Sequence, residues 1–117
     1  MMKTIKIKRI YDTKAEDDGY RILIDRLWPR GVSKKLAELD EWNKEVTPTP
    51  ELRKWFAHDP EKFEEFKSLY QEELRDHKSE LKRLKSIAAS QNLTLLYAAK
   101  DPKINHAIIL LDAIKKS

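Results

Sequence analysis

The sequence predicts an α/β fold: one compact domain over residues 1–117, with a small, mostly parallel sheet and flanking helices. Three observations carry that expectation. Ile22-Leu23-Ile24 and Leu93-Thr94-Leu95-Leu96-Tyr97-Ala98 are near-continuous apolar runs, the pattern of strands buried on both faces, as parallel strands are. Between them, Phe63, Phe66, Tyr70 and Leu74 recur at helical spacing. Beyond the second run, Lys100-Asp101-Pro102 leads into a further apolar helical stretch, so strand, loop and helix follow one another as in half of a βαβ unit. A chain of this length buries roughly two thirds of its unfolded surface, enough for one core, and no linker, internal repeat or low-complexity segment divides it.

Each element has a local reason. Ile5, Ile7 and Ile10 interleave with Lys6, Lys8 and Arg9, the alternation of a half-buried strand near a sheet edge. Asp17-Asp18-Gly19 marks a turn, and Tyr20 to Ile24 follows as a more central strand. The connection of about ten residues sits at the lower limit for a parallel crossover, so parallel and hairpin arrangements of these two strands both stay open. Ser33 is placed to cap a short helix reaching Leu39, and Asp40 to Val46 reads as a short extended segment. Thr47-Pro48-Thr49-Pro50 then forces extended or turn conformations before each proline.

Thr49 before Pro50 starts a helix over Glu51 to Ala57, and Asp59 before Pro60 repeats the device for the next one. The Phe63 stripe continues through His77 to Leu81, Leu84 and Ala88; ordinary helix lengths place a break near His77 to Ser79. Asp101-Pro102 is expected to cap the last helix, with Ile104, Ile108, Leu111 and Ile114 facing inward.

Composition narrows the chemistry. The absence of cysteine removes thiolate catalysis, cysteine-ligated zinc and disulfides, and fits a reducing cytoplasm. The N-terminus alternates charged and apolar residues rather than forming a signal-peptide core. The longest apolar run, Ala107 to Leu111, falls far short of the roughly 20 residues of a membrane span, so the expectation is a soluble cytoplasmic protein without a membrane partner. His58, His77 and His106 are scattered without ligand spacing, and no metal is expected. With two glycines, Gly19 and Gly31, the chain has neither a Walker loop nor a dinucleotide fingerprint, and no cofactor is expected. Any phosphate would be held by side chains and helix ends.

The net charge is +4, and the segment Arg21 to Lys35 alone carries five cations (Arg21, Arg26, Arg30, Lys34, Lys35) against Asp25. So localised a surplus favours an anion site over a broad cationic surface. Asp25-Arg26-Leu27-Trp28-Pro29-Arg30-Gly31 directly follows an apolar strand, and Lys100, Asp101, Asn105 and His106 follow another. In open parallel sheets ligands bind beyond the carboxyl ends of the strands, so these two loops are expected to meet. Arg26, Arg30 and Lys35 would hold an anion, with Arg53, Lys100, Asp101 and Asn105 completing the ligand site. Trp28 would stack on the ligand, wall the pocket or plug the loop. Asp25 and His58 are the candidate catalytic residues for any proton transfer.

The leading expectation is a protein that binds a small anionic, phosphorylated or nucleotide-like ligand, and whether it is also an enzyme stays open. A nucleic-acid-binding protein using the basic segment around Arg26 to Lys35 is one alternative. A non-catalytic interaction or dimerisation module anchored by tryptophans is the other.

Arg9-Ile10-Tyr11-Asp12 together with Asp18-Gly19-Tyr20-Arg21-Ile22-Leu23-Ile24-Asp25-Arg26-Leu27-Trp28-Pro29-Arg30-Gly31 resembles the YeaO-like family of small prokaryotic proteins of unknown function. Leu52-Arg53-Lys54-Trp55-Phe56-Ala57-His58-Asp59-Pro60 and Leu95-Leu96-Tyr97-Ala98-Ala99-Lys100-Asp101 resemble its other recurrent blocks, so the likeness runs nearly end to end. It implies a compact α/β fold and brings no catalytic residues with it.

Overall fold

The computed structural model describes residues 4–117. Four strands, β1 (Ile5–Arg9), β2 (Tyr20–Leu23), β3 (Glu41–Trp42) and β4 (Leu93–Tyr97), form one sheet in the order β1-β4-β2-β3, with every pair parallel. The helices are α1 (Lys34–Ala37), α2 (Pro50–Phe56), α3 (Phe63–Leu74), α4 (Lys78–Ser90) and α5 (His106–Lys115). Single 3-10 turns lie at Glu16–Asp18, Pro60–Lys62 and Arg75–His77, the last interrupting the long apolar stripe near the expected break. Ser33, Thr49 and Asp59 each accept a hydrogen bond from a first-turn amide (Leu36, Leu52 and Glu61), as their positions predict.

The first two strands are parallel without being neighbours. Leu95 of β4 pairs with Ile7 on one side and Ile22 on the other, so the strand nearest the end of the chain fills the centre of the sheet. Gly19 makes the entry to β2 possible: its φ is +64°, and a Cβ there would lie 2.2 Å from the Asn92 carbonyl oxygen. The last helix begins later than its proline suggests. Asp101 folds its carboxylate onto the Lys103 and Ile104 amides in a turn, and Asn105 is the cap, accepting from Ile108 N at 3.2 Å. The buried face is accordingly Ala107, Ile109, Leu110 and Ile114, with Ile108 and Leu111 half-buried.

Alternation along the strands separates two cores. Ile22, Ile24, Leu93, Leu95 and Tyr97 join Phe56, Phe66, Tyr70, Leu84, Leu110 and Ile114 under the helices. Leu23 and Leu96 point the other way, onto Ile10 and Ala37, where the β2–α1 loop and Trp28, Val32 and Trp42 form a thinner cover. Under that cover lies an ion network: the fully buried Asp18 receives Lys6 at 3.1 Å, Lys8 at 3.2 Å, the Ala15 amide at 3.1 Å and a terminal guanidinium nitrogen of Arg21. Arg21 is itself buried; its other terminal nitrogen donates to the Ala37 carbonyl at 2.9 Å and its Nε has no partner.

Candidate functional site

The chain leaves β2 toward the thinner face, where α1 lies, and leaves β4 toward the main core, where α5 packs. Two adjacent parallel strands whose exits diverge in this way open a crevice at their carboxyl ends. Here it is a cavity of ≈ 650 Å³ lined from three directions. The β2 exit supplies Asp25, Arg26, Leu27, Trp28 and Arg30; α2 and the turn after it supply Arg53, Phe56 and His58; the β4 exit supplies Ala98, Lys100, Asp101, Asn105 and His106. Two phenyl rings, Phe56 and Phe66, stacked at 4.1 Å and themselves almost wholly buried, form part of its wall.

Of the ten residues singled out in the sequence, nine line this cavity: Asp25, His58, Arg26, Trp28, Arg30, Arg53, Lys100, Asp101 and Asn105. Lys35 does not. It stands exposed on α1, outside the lining. Arg21, counted in the local charge surplus, is locked to Asp18 beneath the sheet, and Lys34 lies 5.9 Å from the Trp28 ring. The segment's charge thus reaches the cavity through Arg26 and Arg30, while Arg53 and Lys100 arrive from elsewhere in the chain.

Several lining residues have structural duties. Trp28 donates from Nε1 to the Val32 carbonyl at 2.6 Å and packs edge-on against Trp42 at 5.2 Å, so it closes the loop on one side and walls the cavity on the other. Trp42 donates to the Asp25 carbonyl at 2.7 Å. Asn105 is buried, and besides capping α5 it donates to the Asp101 carbonyl at 2.8 Å, which commits its polar atoms to the loop. Arg26 spends its Nε on the Pro48 carbonyl at 3.3 Å, one of five guanidinium donors. Among the described residues no carboxylate lies within 4.0 Å of Arg26, Arg30, Arg53 or Lys100.

Asp25 is the inner charge. Its Oδ2 accepts from the Ala98 amide at 2.9 Å, tying the two exit loops together, and its Oδ1 lies 3.4 Å from His106 Nε2. That imidazole nitrogen is only 2.6 Å from the Ile24 carbonyl, so it carries a proton and donates it there. Burial raises the Asp25 carboxyl above the usual carboxylate range; His106, the Ala98 amide, Arg53 and His58 pull the other way without cancelling it. His58 is exposed and is presented by two consecutive left-handed residues, Ala57 (φ 47°) and His58 (φ 57°). Neither is glycine, and each such residue costs about 1–2 kcal/mol. Strain of this kind is retained where the surroundings impose it, often beside a site.

Two contributors, Arg9 and Tyr11, escaped the reading of site residues, and His106 was named in the second loop without a role. A lone histidine gives no sign that it will reach the Ile24 carbonyl at the exit from β2. Arg9 donates to the Ala99 and Ala98 carbonyls at 2.9 and 3.3 Å, and the Tyr11 hydroxyl donates to the Arg30 carbonyl at 2.9 Å. Both lie in the Arg9-Ile10-Tyr11-Asp12 block, the one available signal, and together they brace the two exit loops from the end of β1.

Residues 4–117 match the model of a family described as the inactive DUF488-N3 subclade. The chain is 50% identical over 111 residues to the uncharacterized protein YeaO of Escherichia coli, covering 95% of this chain and 96% of that one. The chain belongs to the YeaO-like family. Uncharacterized proteins of Mycobacterium tuberculosis and Mycobacterium bovis are each 39% identical to it over 106 residues, covering 91% of this chain and 89% of theirs. No solved structure matches it. Among the described residues no helix is long and apolar enough to cross a membrane, and no group of three or more His, Asp or Glu side chains is arranged to hold a metal ion.

Proposed function

We propose that the protein binds a small anionic ligand, phosphorylated or nucleotide-like, in the cavity at the carboxyl ends of β2 and β4. The observation that carries this reading is the set of four cations, Arg26, Arg30, Arg53 and Lys100, that line one cavity without a carboxylate partner of their own among the described residues. Against them stand Asp25 and Asp101, so the lining has a charge of +2 with both histidines neutral. Guanidinium forks match phosphate or carboxylate oxygens in pairs, and in a concave site with low-dielectric walls their field is concentrated rather than screened. The description of the matching family as inactive favours binding without turnover; in that case Asp25 and His58 serve as polar contacts to the ligand.

The test is a thermal-shift and calorimetric titration with inorganic phosphate, sulfate and nucleotides. A saturable effect is expected, and Arg30→Ala or Arg53→Ala should weaken it at least tenfold, as loss of a charge-assisted hydrogen-bonded contact does. Both side chains are exposed, so each variant should keep the wild-type stability within about 0.5 kcal/mol. Absence of a saturable response to every anion sinks the reading. Binding only to duplex DNA, with a log-log salt slope of about −0.9 per neutralised phosphate, would replace it with a nucleic-acid interface.

A further inference from the structure

The cavity is polarised. Three of its four cations, Arg30, Arg53 and Lys100, are on solvent-exposed residues and outnumber the exposed Asp101, while Arg26 is half-buried and Asp25 is set inside with its side chain 19% exposed. An ionised carboxylate offers about four acceptor positions. Among the described residues Asp25 has one hydrogen bond filled, by the Ala98 amide on Oδ2. Its Oδ1 has none: His106 Nε2 is 3.4 Å away and donates instead to the Ile24 carbonyl at 2.6 Å. Nor is Oδ1 sealed off, because Asp25 lines the cavity. A half-buried acceptor left short of donors at the inner end of a site is completed by water or by a ligand.

We infer that the cavity takes a bipolar small molecule, whose anionic group lies at the mouth on Arg30, Arg53 and Lys100 and whose amine or other N–H donor reaches inward to Asp25 Oδ1. This rests on the anion-binding reading and adds the second end of the ligand. A plain anion satisfies only the mouth, and if it slides inward it meets the Asp25 carboxylate and is repelled. Asp25 is thus the specificity determinant: it orients the ligand and rejects anions that bring no donor.

The test is isothermal titration calorimetry of the full chain with three probes of common phosphate end: phosphoethanolamine, phosphocholine and ethyl phosphate. Phosphoethanolamine should bind about tenfold or more tightly than ethyl phosphate, the ratio a hydrogen bond to a charged group provides. Phosphocholine, whose quaternary nitrogen carries no N–H, should lose most of that advantage. In Asp25→Asn the three affinities should converge through loss on phosphoethanolamine, with ethyl phosphate unchanged or tighter. Equal binding of phosphoethanolamine and ethyl phosphate by the wild type overturns the inference while leaving the anion site standing, as does a ratio unchanged in Asp25→Asn. If that variant does not fold, the comparison of phosphoethanolamine with phosphocholine in the wild type decides alone, equality overturning the inference. Failure of all three probes to bind overturns the anion reading and this one with it.

Discussion

Replacing Asp18 with asparagine probes the ion network beneath the sheet. The asparagine side chain keeps an oxygen for the Ala15 amide, so the turn before β2 survives, but the negative charge shared by Lys6, Lys8 and Arg21 disappears. The three cations are not equally affected. Lys6 and Lys8 have side chains 33% and 16% exposed, so each can regain water when the charge is lost and their share of the cost is the smaller one. The Arg21 side chain is 3% exposed, already has an unpartnered Nε, and would exchange the carboxylate for a neutral amide oxygen shared with the Ala15 amide, beside the Ala37 carbonyl. Breaking a buried pair by removing one partner costs about 3–5 kcal/mol, and with two neutral acceptors retained the lower end, about 3 kcal/mol, is expected. Urea unfolding should show a lower midpoint at unchanged slope. A loss below about 1 kcal/mol at neutral pH, the range of an exposed pair, would mean that Arg21 does not depend on Asp18.

The same network fixes a pH signature. Burial pushes the Asp18 carboxyl up, but the Ala15 amide, Lys6, Lys8 and Arg21 outweigh it and hold the group well below the usual carboxylate range. A depressed folded-state pKa means stabilisation fully present above the unfolded value of about 3.9 and lost progressively as pH falls beneath it. The gap between wild type and Asp18→Asn should therefore narrow in acid, and a gap undiminished at about pH 2 contradicts the assignment.

Asp25 has the opposite sign. Its folded-state carboxyl is raised, chiefly by burial, so the ionised form is disfavoured by folding and Asp25→Asn should raise the melting temperature at neutral pH, an advantage that fades below the unfolded pKa. A lower melting temperature would show that His106 and Arg53 hold the charge favourably overall. Gly19→Ala should destabilise by about 3 kcal/mol or more, since the new methyl meets the Asn92 backbone and the left-handed φ adds its own cost. Near-wild-type denaturant unfolding would mean that the β2 entry is free to shift.

What the sequence disclosed is governed by range. Thr49-Pro50 and Asp59-Pro60 announce helix starts because capping acts over two or three residues, and the observed caps follow. Asp101-Pro102 carried the same signal and misled: Asp101 bonds the next amides in a turn, and the helix waits for Asn105. The insertion of β4 between β1 and β2 left no local trace, since parallel pairing joins residues from opposite ends of the chain, such as Ile5 and Leu93. The site was legible where strand and loop are contiguous, at Asp25, Arg26 and Arg30. Lys35 was misplaced because charge was counted along the chain, whereas α1 turns it away from the cavity. Arg9, Tyr11 and His106 act across the fold, and only tertiary structure shows that.

The sheet order also sets a schedule for synthesis. As the polypeptide emerges from the ribosome, β1 and β2 appear early, yet neither has β4 beside it until residues 93–97 are made. Until then two strand edges stand unpaired and the cavity lacks its β4 wall. Such non-local pairing folds slowly and leaves the nascent chain exposed to aggregation. A translation product that stops short of β4 contains Arg26 and Arg30 on one loop and Arg53 on α2, but lacks the strand that joins β1 to β2 and carries the opposite wall of the cavity.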